Sequence, residues 1–260
     1  MPECVEVEIT RRKLEPLIVG RRLCRVRLLD ALLERPADFG RYSGVLRAID
    51  RRGKALRFVL AEDRSFTLWL GMTGSLQVNA DAARPPRLVL EFDGASCSLI
   101  DPRRFGRVSW QGRLPAGWDV LSAISRLQPP REFEESFCAS KARIKALLMD
   151  QDKIAGLGNI YANEVLFDAG IRPWRRACSL SREETGRLWA SLRRILGRAL
   201  RDGGISMRDF YHPDGRKGAF QNRFTIYGLK KGSPCPRCGA PVKVVLTAQR
   251  STFFCRNCQK

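Results

Sequence analysis

Two Cys-x2-Cys pairs close this chain, Cys235 with Cys238 and, after an intervening 16 residues, Cys255 with Cys258. That spacing sets four thiolates on two hairpin knuckles, the arrangement that holds one tetrahedral Zn²⁺. A segment this short has little core of its own, so the metal is expected to fold it. A four-cysteine site is closed, so the one expected zinc is structural and does no chemistry. Four thiolates and one Zn²⁺ carry a net negative charge. Any affinity of this segment for an anion therefore depends on Arg237, Lys243, Arg250 and Arg256. The remaining cysteines, Cys4, Cys24, Cys97, Cys138 and Cys178, are scattered and odd in number, which suits reduced thiols in a cytosolic protein better than a disulfide framework.

Charge narrows the function. Lys and Arg number 47 against 27 acidic residues, for a formal net charge of +20. Such a balance implies a polyanionic partner, and nucleic acid is the natural one. A membrane surface is disfavoured: no apolar run approaches transmembrane length and no basic-then-apolar leader opens the chain. A cytoplasmic protein is expected. At 260 residues the chain can bury a real core and divide into two or three units.

Periodicity orders those units. Val7, Thr10, Leu14 and Leu17 share one helical face, and Pro16 with Gly20 mark where that first helix stops. From residue 22 to about 110 the pattern becomes short alternating runs, such as Leu88, Leu90 and Phe92 before Asp93-Gly94, with Cys97 and Leu99 after it. These read as antiparallel hairpins of a sandwich or barrel, with Lys54 at one turn and Met72 in Leu70-Gly71-Met72-Thr73-Gly74. Residues 111–131, rich in Gly and Pro, read as a linker. Helices are then expected over 131–139, from Ser140 through Leu148, from Asn159 to before Gly170, and from Ser181, with Glu184 completing a capping box, to Gly203-Gly204. The last has Leu188, Leu192, Ile195, Leu196 and Ala199 as its core stripe. Asn159 as N-cap would leave amides at a helix N-terminus, where a phosphate can be held. Residues 205–222 are long and polar for a connector, so they read as a functional loop, and the only histidine, His212, reads as solvated.

At the other end stands Met1-Pro2-Glu3. Once Met1 is removed, Pro2 offers a secondary α-amine able to attack a sugar C1′ and become an iminium, and an α-amine titrates near roughly 8 without burial. A carboxyl one residue away, Glu3, could protonate the sugar ring oxygen as it opens.

Together these stretches resemble the family of bacterial formamidopyrimidine-DNA glycosylases and endonuclease VIII. The likeness runs through Pro2-Glu3 with Glu6-Val7-Glu8, Arg52-Gly53-Lys54, Leu70 to Gly74, Asp101-Pro102-Arg103-Arg104-Phe105-Gly106, the run from Ile154 to Glu164, and Gln249 to Cys255. The resemblance implies an α+β chain. Its expected parts are an N-terminal helix plus antiparallel β-sandwich (1–118), a linker (119–130), a helix-two-turns-helix domain with a lesion-recognition loop at 205–222 (131–222), and a β-hairpin zinc finger (223–260), with DNA in the cleft. It also implies roles. Pro2 is the Schiff-base nucleophile, Glu3 the proton donor, and Lys54 the cation beside the damaged nucleotide. Asn159 and Arg250 clamp the flanking phosphates, and Lys145 joins the DNA-contacting set. Met72, Arg103 and Phe105 enter the duplex to offset the unstacking of a flipped base. The Ile205 carbonyl reads the N7 proton of 8-oxoguanine, and the amides of Met207, Arg208, Asp209 and Phe210 gather around O6.

The activity so implied is a base-excision glycosylase with AP lyase activity, removing 8-oxoguanine and formamidopyrimidines and cutting the strand by β,δ-elimination. Its partner is double-stranded DNA with oxidised bases or abasic sites, and the protein is expected to act as a monomer. An oxidised-pyrimidine enzyme of the same family and a non-catalytic zinc-finger binder of damaged DNA are the alternatives. Some positions depart from the family pattern. Trp69 stands where a histidine usually precedes Leu-Gly-Met, Val5 replaces a proline, and Cys4 places a thiol, open to oxidation, beside the nucleophile. An indole has one donor and no charge, so a phosphate contact at Trp69 is expected to be weaker.

Overall fold

A computed structural model describes residues 2–79, 84–207, 210–247 and 249–260, which divide into two packed units. The first comprises residues 1–115 and 202–221. Helix α1 (Cys4–Ile18) begins in a capping box, the Glu6 carboxylate accepting the Glu3 N–H at 2.8 Å. Its buried face is Val7, Thr10, Leu14 and Ile18, while Leu17 is exposed. Eight antiparallel strands follow: β1 (Arg22–Leu28), β2 (Gly44–Arg52), β3 (Ala55–Leu60), β4 (Ser65–Trp69), β5 (Ser75–Val78), β6 (Leu88–Phe92), β7 (Ala95–Ile100) and β8 (Arg107–Ser109). Their ladder order is β5-β7-β6-β1-β2-β3-β4-β8.

Between β1 and β2 the ladder holds by Arg22↔Val45 and Leu23↔Gly44 alone, and across this seam the strands form the two layers of a sandwich. Leu46, Phe58, Phe66 and Leu68 of one layer share a core with Leu76, Leu88, Leu90 and Leu99 of the other. Phe58 and Phe66 stack nearly parallel with centroids 4.8 Å apart. Alternation explains this, since every second residue of a strand faces one side.

Residues 202–221, expected as part of the helical domain, cluster with this sandwich. A Cβ on Gly218 would lie 2.2 Å from the carbonyl oxygens of Gly203 and Gly204, so only glycine lets the two ends of the loop touch. There Ala219 N–H donates to Asp202 O at 2.9 Å and Phe220 N–H to Gly204 O at 3.0 Å. His212, expected in solvent, is buried: Nε2 lies 2.8 Å from Gly203 O and its ring meets Phe210 edge-on. Burial holds its pKa below the ordinary histidine value, with the Lys13 charge adding to the shift. Polar composition hid a loop closed on its own side chains.

The second unit comprises residues 116–201 and 222–260. The expected linker contains β9 (Trp118–Asp119) and α2 (Val120–Ala123), elements too short to show periodicity. The Asp119 carboxylate caps α2 by accepting the Leu121 N–H at 3.1 Å. Then come α3 (Arg131–Cys138), α4 (Ile144–Met149), β10 (Ile154–Ala155, parallel to β9), α5 (Asn159–Ala169) and α6 (Arg182–Arg201). The capping box of α6 forms as expected: Ser181 N–H donates to Glu184 Oε2 and Glu184 N–H to Ser181 Oγ. Its stripe is buried at Leu188, Leu192, Leu196 and Ala199, Ile195 is half-buried, and Trp189 joins Trp118 and Phe133 in an aromatic cluster.

The chain ends in the hairpin β11 (Lys243–Thr247) and β12 (Arg250–Phe254). Phe167 of α5 shares a small core with Ile226, Cys235, Val242 and Cys255, so the last segment leans on α5. The buried Glu164 carboxylate accepts the N–H groups of Thr225, Ile226 and Tyr227 at 2.9, 2.8 and 2.7 Å. Among the described residues no helix is long and apolar enough to cross a membrane.

Candidate active site and nucleic-acid interface

Carboxylates of α1 organise the N-terminal site. Pro2 and Glu3 are buried at the start of the helix; Met1 lies outside the described residues. Glu6, 1% exposed, accepts the Glu3 N–H through Oε2 and the Ile205 N–H through Oε1 at 2.9 Å. One side chain thus ties the N-terminus to the loop expected to read the lesion. Glu8 does the same for Lys54: Arg51 Nε donates to Glu8 Oε2 at 3.1 Å while its Nη1 donates to Gly53 O at 3.0 Å. The half-buried Lys54 sits on that tethered turn. Burial alone would raise the Glu8 pKa, but hydrogen bonds from Arg11 and Arg12, with the Arg51 charge, bring it to about 2. Glu8 is therefore a fixed anion under any physiological condition. Cys4 is wholly buried, which shields the thiol whose oxidation was anticipated.

The loops carrying Met72, Arg103 and Phe105 are held by Asp101, 2% exposed. Its Oδ1 accepts Thr73 Oγ1–H at 2.5 Å, and its Oδ2 accepts Gly106 N–H at 2.6 Å and Arg87 Nη1–H at 2.9 Å. A Cβ on Gly71, whose φ is +67°, would lie 2.5 Å from the Phe105 carbonyl carbon, so the two loops touch through their backbones. Met72 is half-buried, Phe105 is 54% exposed, and the Arg103 guanidinium carbon lies 5.0 Å from the Phe105 ring centroid. Phe105 is therefore not part of the core.

Of the residues expected to read the base, Ile205 is buried with its N–H spent on Glu6. Met207 is exposed, and Phe210 belongs to the sandwich core with its N–H on Met207 O at 3.3 Å. Arg208 and Asp209 lie outside the described residues.

In the second unit Asn159, Lys145 and Arg250 meet around one strand. Gly158 is the N-cap of α5 and Asn159 its first helical residue, a shift of one from expectation. The Asn159 amide does not turn back to cap its own helix: Nδ2 donates to Ser251 O at 3.1 Å. Lys145 is buried, its Nζ donating to the same Ser251 O at 3.0 Å and to Thr252 Oγ1 at 2.6 Å. Burial pushes its pKa down to about 8. Asn163 accepts Phe253 N–H through Oδ1 at 2.9 Å. Three side chains thus grip β12 just past Arg250, which stays exposed at the start of the strand. Gln151 pins the preceding turns by donating to Met149 O and Leu157 O and accepting Gly156 N–H.

The four cysteines converge as their spacing requires. Their Sγ atoms all lie within 4.8 Å of one another, with Cys235–Cys258 at 3.8 Å and Cys238–Cys255 at 3.5 Å. Zn–S bonds of about 2.3 Å in a tetrahedron put sulfurs about 3.8 Å apart, so the donor set fits zinc. Gln259, fully buried, accepts Cys255 N–H and donates to Ile171 O, anchoring the second knuckle. Glu6, Glu8, Asp101, Asn163 and Glu164 were not singled out for a role from sequence. The signal available was four carboxylates and one amide lying within the family motifs of a strongly basic chain.

Three family descriptions match in order: formamidopyrimidine-DNA glycosylase N-terminal domain over 1–108, its H2TH domain over 122–211, and the zinc finger found in FPG and IleRS over 232–260. A formamidopyrimidine-DNA glycosylase of Thermus thermophilus is 40% identical over 270 residues, covering 100% of this chain and 98% of that protein. The crystal structure of the T. thermophilus MutM (FPG) protein aligns with a TM-score of 0.86 at 38% identity, over 99% of this chain and 98% of that one. A Lactococcus lactis FPG mutant in complex with Fapy-dG-containing DNA aligns with a TM-score of 0.80 at 30% identity over 100% of both chains. With likeness over its whole length and every family segment in place, the chain belongs to the formamidopyrimidine-DNA glycosylase family.

Proposed function

We infer that this DNA glycosylase and AP lyase removes oxidised purines, 8-oxoguanine and formamidopyrimidines, from duplex DNA. The observation that carries the reading is the double contact of Glu6 to Glu3 N–H and Ile205 N–H, which couples the reacting N-terminus to the loop that would recognise the base. The Pro2 amine attacks C1′, the bond from C1′ to the base breaks, and Glu3 protonates the ring oxygen as the sugar opens to an iminium. Loss of a C2′ proton then expels the 3′ phosphate, and a second elimination expels the 5′ phosphate. Lys54, on its tethered turn, supplies positive charge beside the nucleotide.

Met72 and Phe105 fill the gap left by the flipped base, and Arg103 bonds its orphaned partner. Asn159 and Arg250 clamp the backbone. Lys145, with two of its three N–H donors on β12, supports Arg250 from behind. The zinc holds the hairpin that presents Arg250 and takes no part in the chemistry. The protein would act in the bacterial cytoplasm, as a monomer on the nucleoid.

Borohydride trapping on matched duplexes carrying 8-oxoguanine, a formamidopyrimidine, an oxidised pyrimidine or an abasic site tests this. Adducts are expected on the purine lesions and the abasic site for the wild type, and none for Pro2→Gly. Preference for the oxidised pyrimidine would move the substrate class, and trapping by Pro2→Gly at wild-type level would remove the nucleophile.

A further inference from the structure

The outer face of the sheet carries a row that the chemistry above does not use. Opposed positions run Arg52↔Ala55, Ala55↔Trp69 and Trp69↔Arg107 across β2, β3, β4 and β8. Directly opposed residues point to the same face of a sheet. The alternate residues Leu56, Phe58, Phe66, Leu68 and Val108 fill the core, so this row faces away from it. Trp69 is the last residue of β4 and Arg107 the first of β8, which puts the pair where the loop bearing Met72 departs and the loop bearing Arg103 and Phe105 returns.

Arg107 is exposed, and its guanidinium carbon lies 4.7 Å from the Trp69 ring centroid, within cation–π range. No carboxylate among the described residues pairs with it. Its neighbours differ: Arg104 is spent on Asp30, Arg87 on Asp30 and Asp101, and Arg57 on Asp50.

We propose that Arg107, laid against Trp69, clamps a DNA backbone phosphate at the root of the two loops that enter the duplex, with Trp69 as its positioning residue. An indole has no charge to offer a phosphate, but its π face can orient a guanidinium. Stacking occupies the face of the guanidinium, whereas phosphate oxygens bind the N–H donors along its edge, so both contacts are made at once. The proposal rests on the reading of Met72, Arg103 and Phe105 as the group that enters DNA.

The test is equilibrium binding to a duplex with a tetrahydrofuran abasic analogue, and to its intact counterpart, across a KCl series. Losing one phosphate contact flattens the log–log salt slope by about 0.9, which amounts to a loss of about eightfold at 0.1 M salt for Arg107→Ala. Arg107→Lys keeps the slope but binds more weakly, because the charge stays and the fork goes. Trp69→Ala weakens binding about two- to fivefold, the range of an exposed cation–π contact. Trp69→Phe restores most of it, and Trp69→Ala adds nothing in the Arg107→Ala background.

Thermal melts confirm that each variant folds. An unchanged salt slope in folded Arg107→Ala, or an undiminished Trp69→Ala effect in the double variant, overturns the proposal. If Met72→Ala loses discrimination between the two duplexes while Arg107→Ala matches wild type, this proposal alone fails. If the wild type does not distinguish the duplexes, the underlying reading of the loops fails with it.

Discussion

Glu6→Gln is the most informative single change, because it alters one atom of a buried bridge and nearly no volume. The carboxylate offers an acceptor to Glu3 N–H at 2.8 Å and another to Ile205 N–H at 2.9 Å. An amide has one oxygen and one NH₂, so either orientation leaves a buried N–H facing a donor. Hydrogen bonds to a charged acceptor contribute roughly 1.5 to 3 kcal/mol, and a buried donor left unmatched costs about 1 to 3 kcal/mol. The loss falls where the consequence is smaller, and that is the Ile205 arm: the N–H of Glu3 begins a helix packed into the core, whereas Ile205 lies in a connecting loop.

A loss of 1 to 3 kcal/mol at the arm that places the loop lowers the population of the correctly placed loop by about fivefold to about 160-fold. Single-turnover excision of 8-oxoguanine should fall by this factor, while cleavage at a pre-formed abasic site, which needs no base reading, should fall much less. A melt should show a drop of about 2 to 4 °C per kcal/mol lost. Equal loss of both activities would place the effect at Pro2 and Glu3 instead, and wild-type excision with an unchanged melt would refute the bridge.

Other outcomes follow from the same geometry. Glu3→Gln should lose base excision yet retain strand cleavage at an abasic site, measured on the two substrates side by side; parallel loss would argue against a proton donor specific to excision. Cys238→Ser should release the metal and lower affinity for damaged duplex at least tenfold through misplacement of Arg250, read by metal analysis and binding titration; unchanged affinity after verified zinc loss would detach the finger from the interface.

Lys145 gives a pH signature. Its folded pKa of about 8 lies below its unfolded value, so the unfolded state binds more protons between pH 8 and about 10.4. Stability linked to this group therefore rises with pH through that window, by at most about 3 kcal/mol, and is absent below it. Denaturant titrations of wild type and Lys145→Met should differ by that rise, and parallel pH profiles would show that Lys145 is not desolvated as placed.

Much of this molecule is legible in its sequence. Helix α5 ends one residue before Gly170, and the capping box of α6 forms at Ser181 and Glu184, because caps are local hydrogen bonds between residues three apart. The hairpin about Asp93-Gly94 follows from alternation over a few residues. The metal ligands were readable because two knuckles fix their own geometry over three-residue gaps. In the same way the secondary amine that Pro2 would offer is a property of the residue itself, wherever the fold puts it.

What the chain order could not convey is which distant groups satisfy one another. His212 looks polar and solvated in sequence, yet two glycines and Gly218 close its loop and bury it. Lys145 is expected to contact DNA from its place in the family motifs, and only the fold shows that two of its three Nζ donors go to Ser251 and Thr252, more than a hundred residues away. Glu6 and Glu8 stand in a family motif with no role of their own to read, and only packing reveals that one holds Ile205 and the other, through Arg51, the turn of Lys54. Sequence determined the elements and the reactive groups, since propensity, capping and covalent chemistry act over a few residues. Tertiary structure decided which charges are spent and which are left for DNA, since a buried polar group must find its partner wherever the fold brings one.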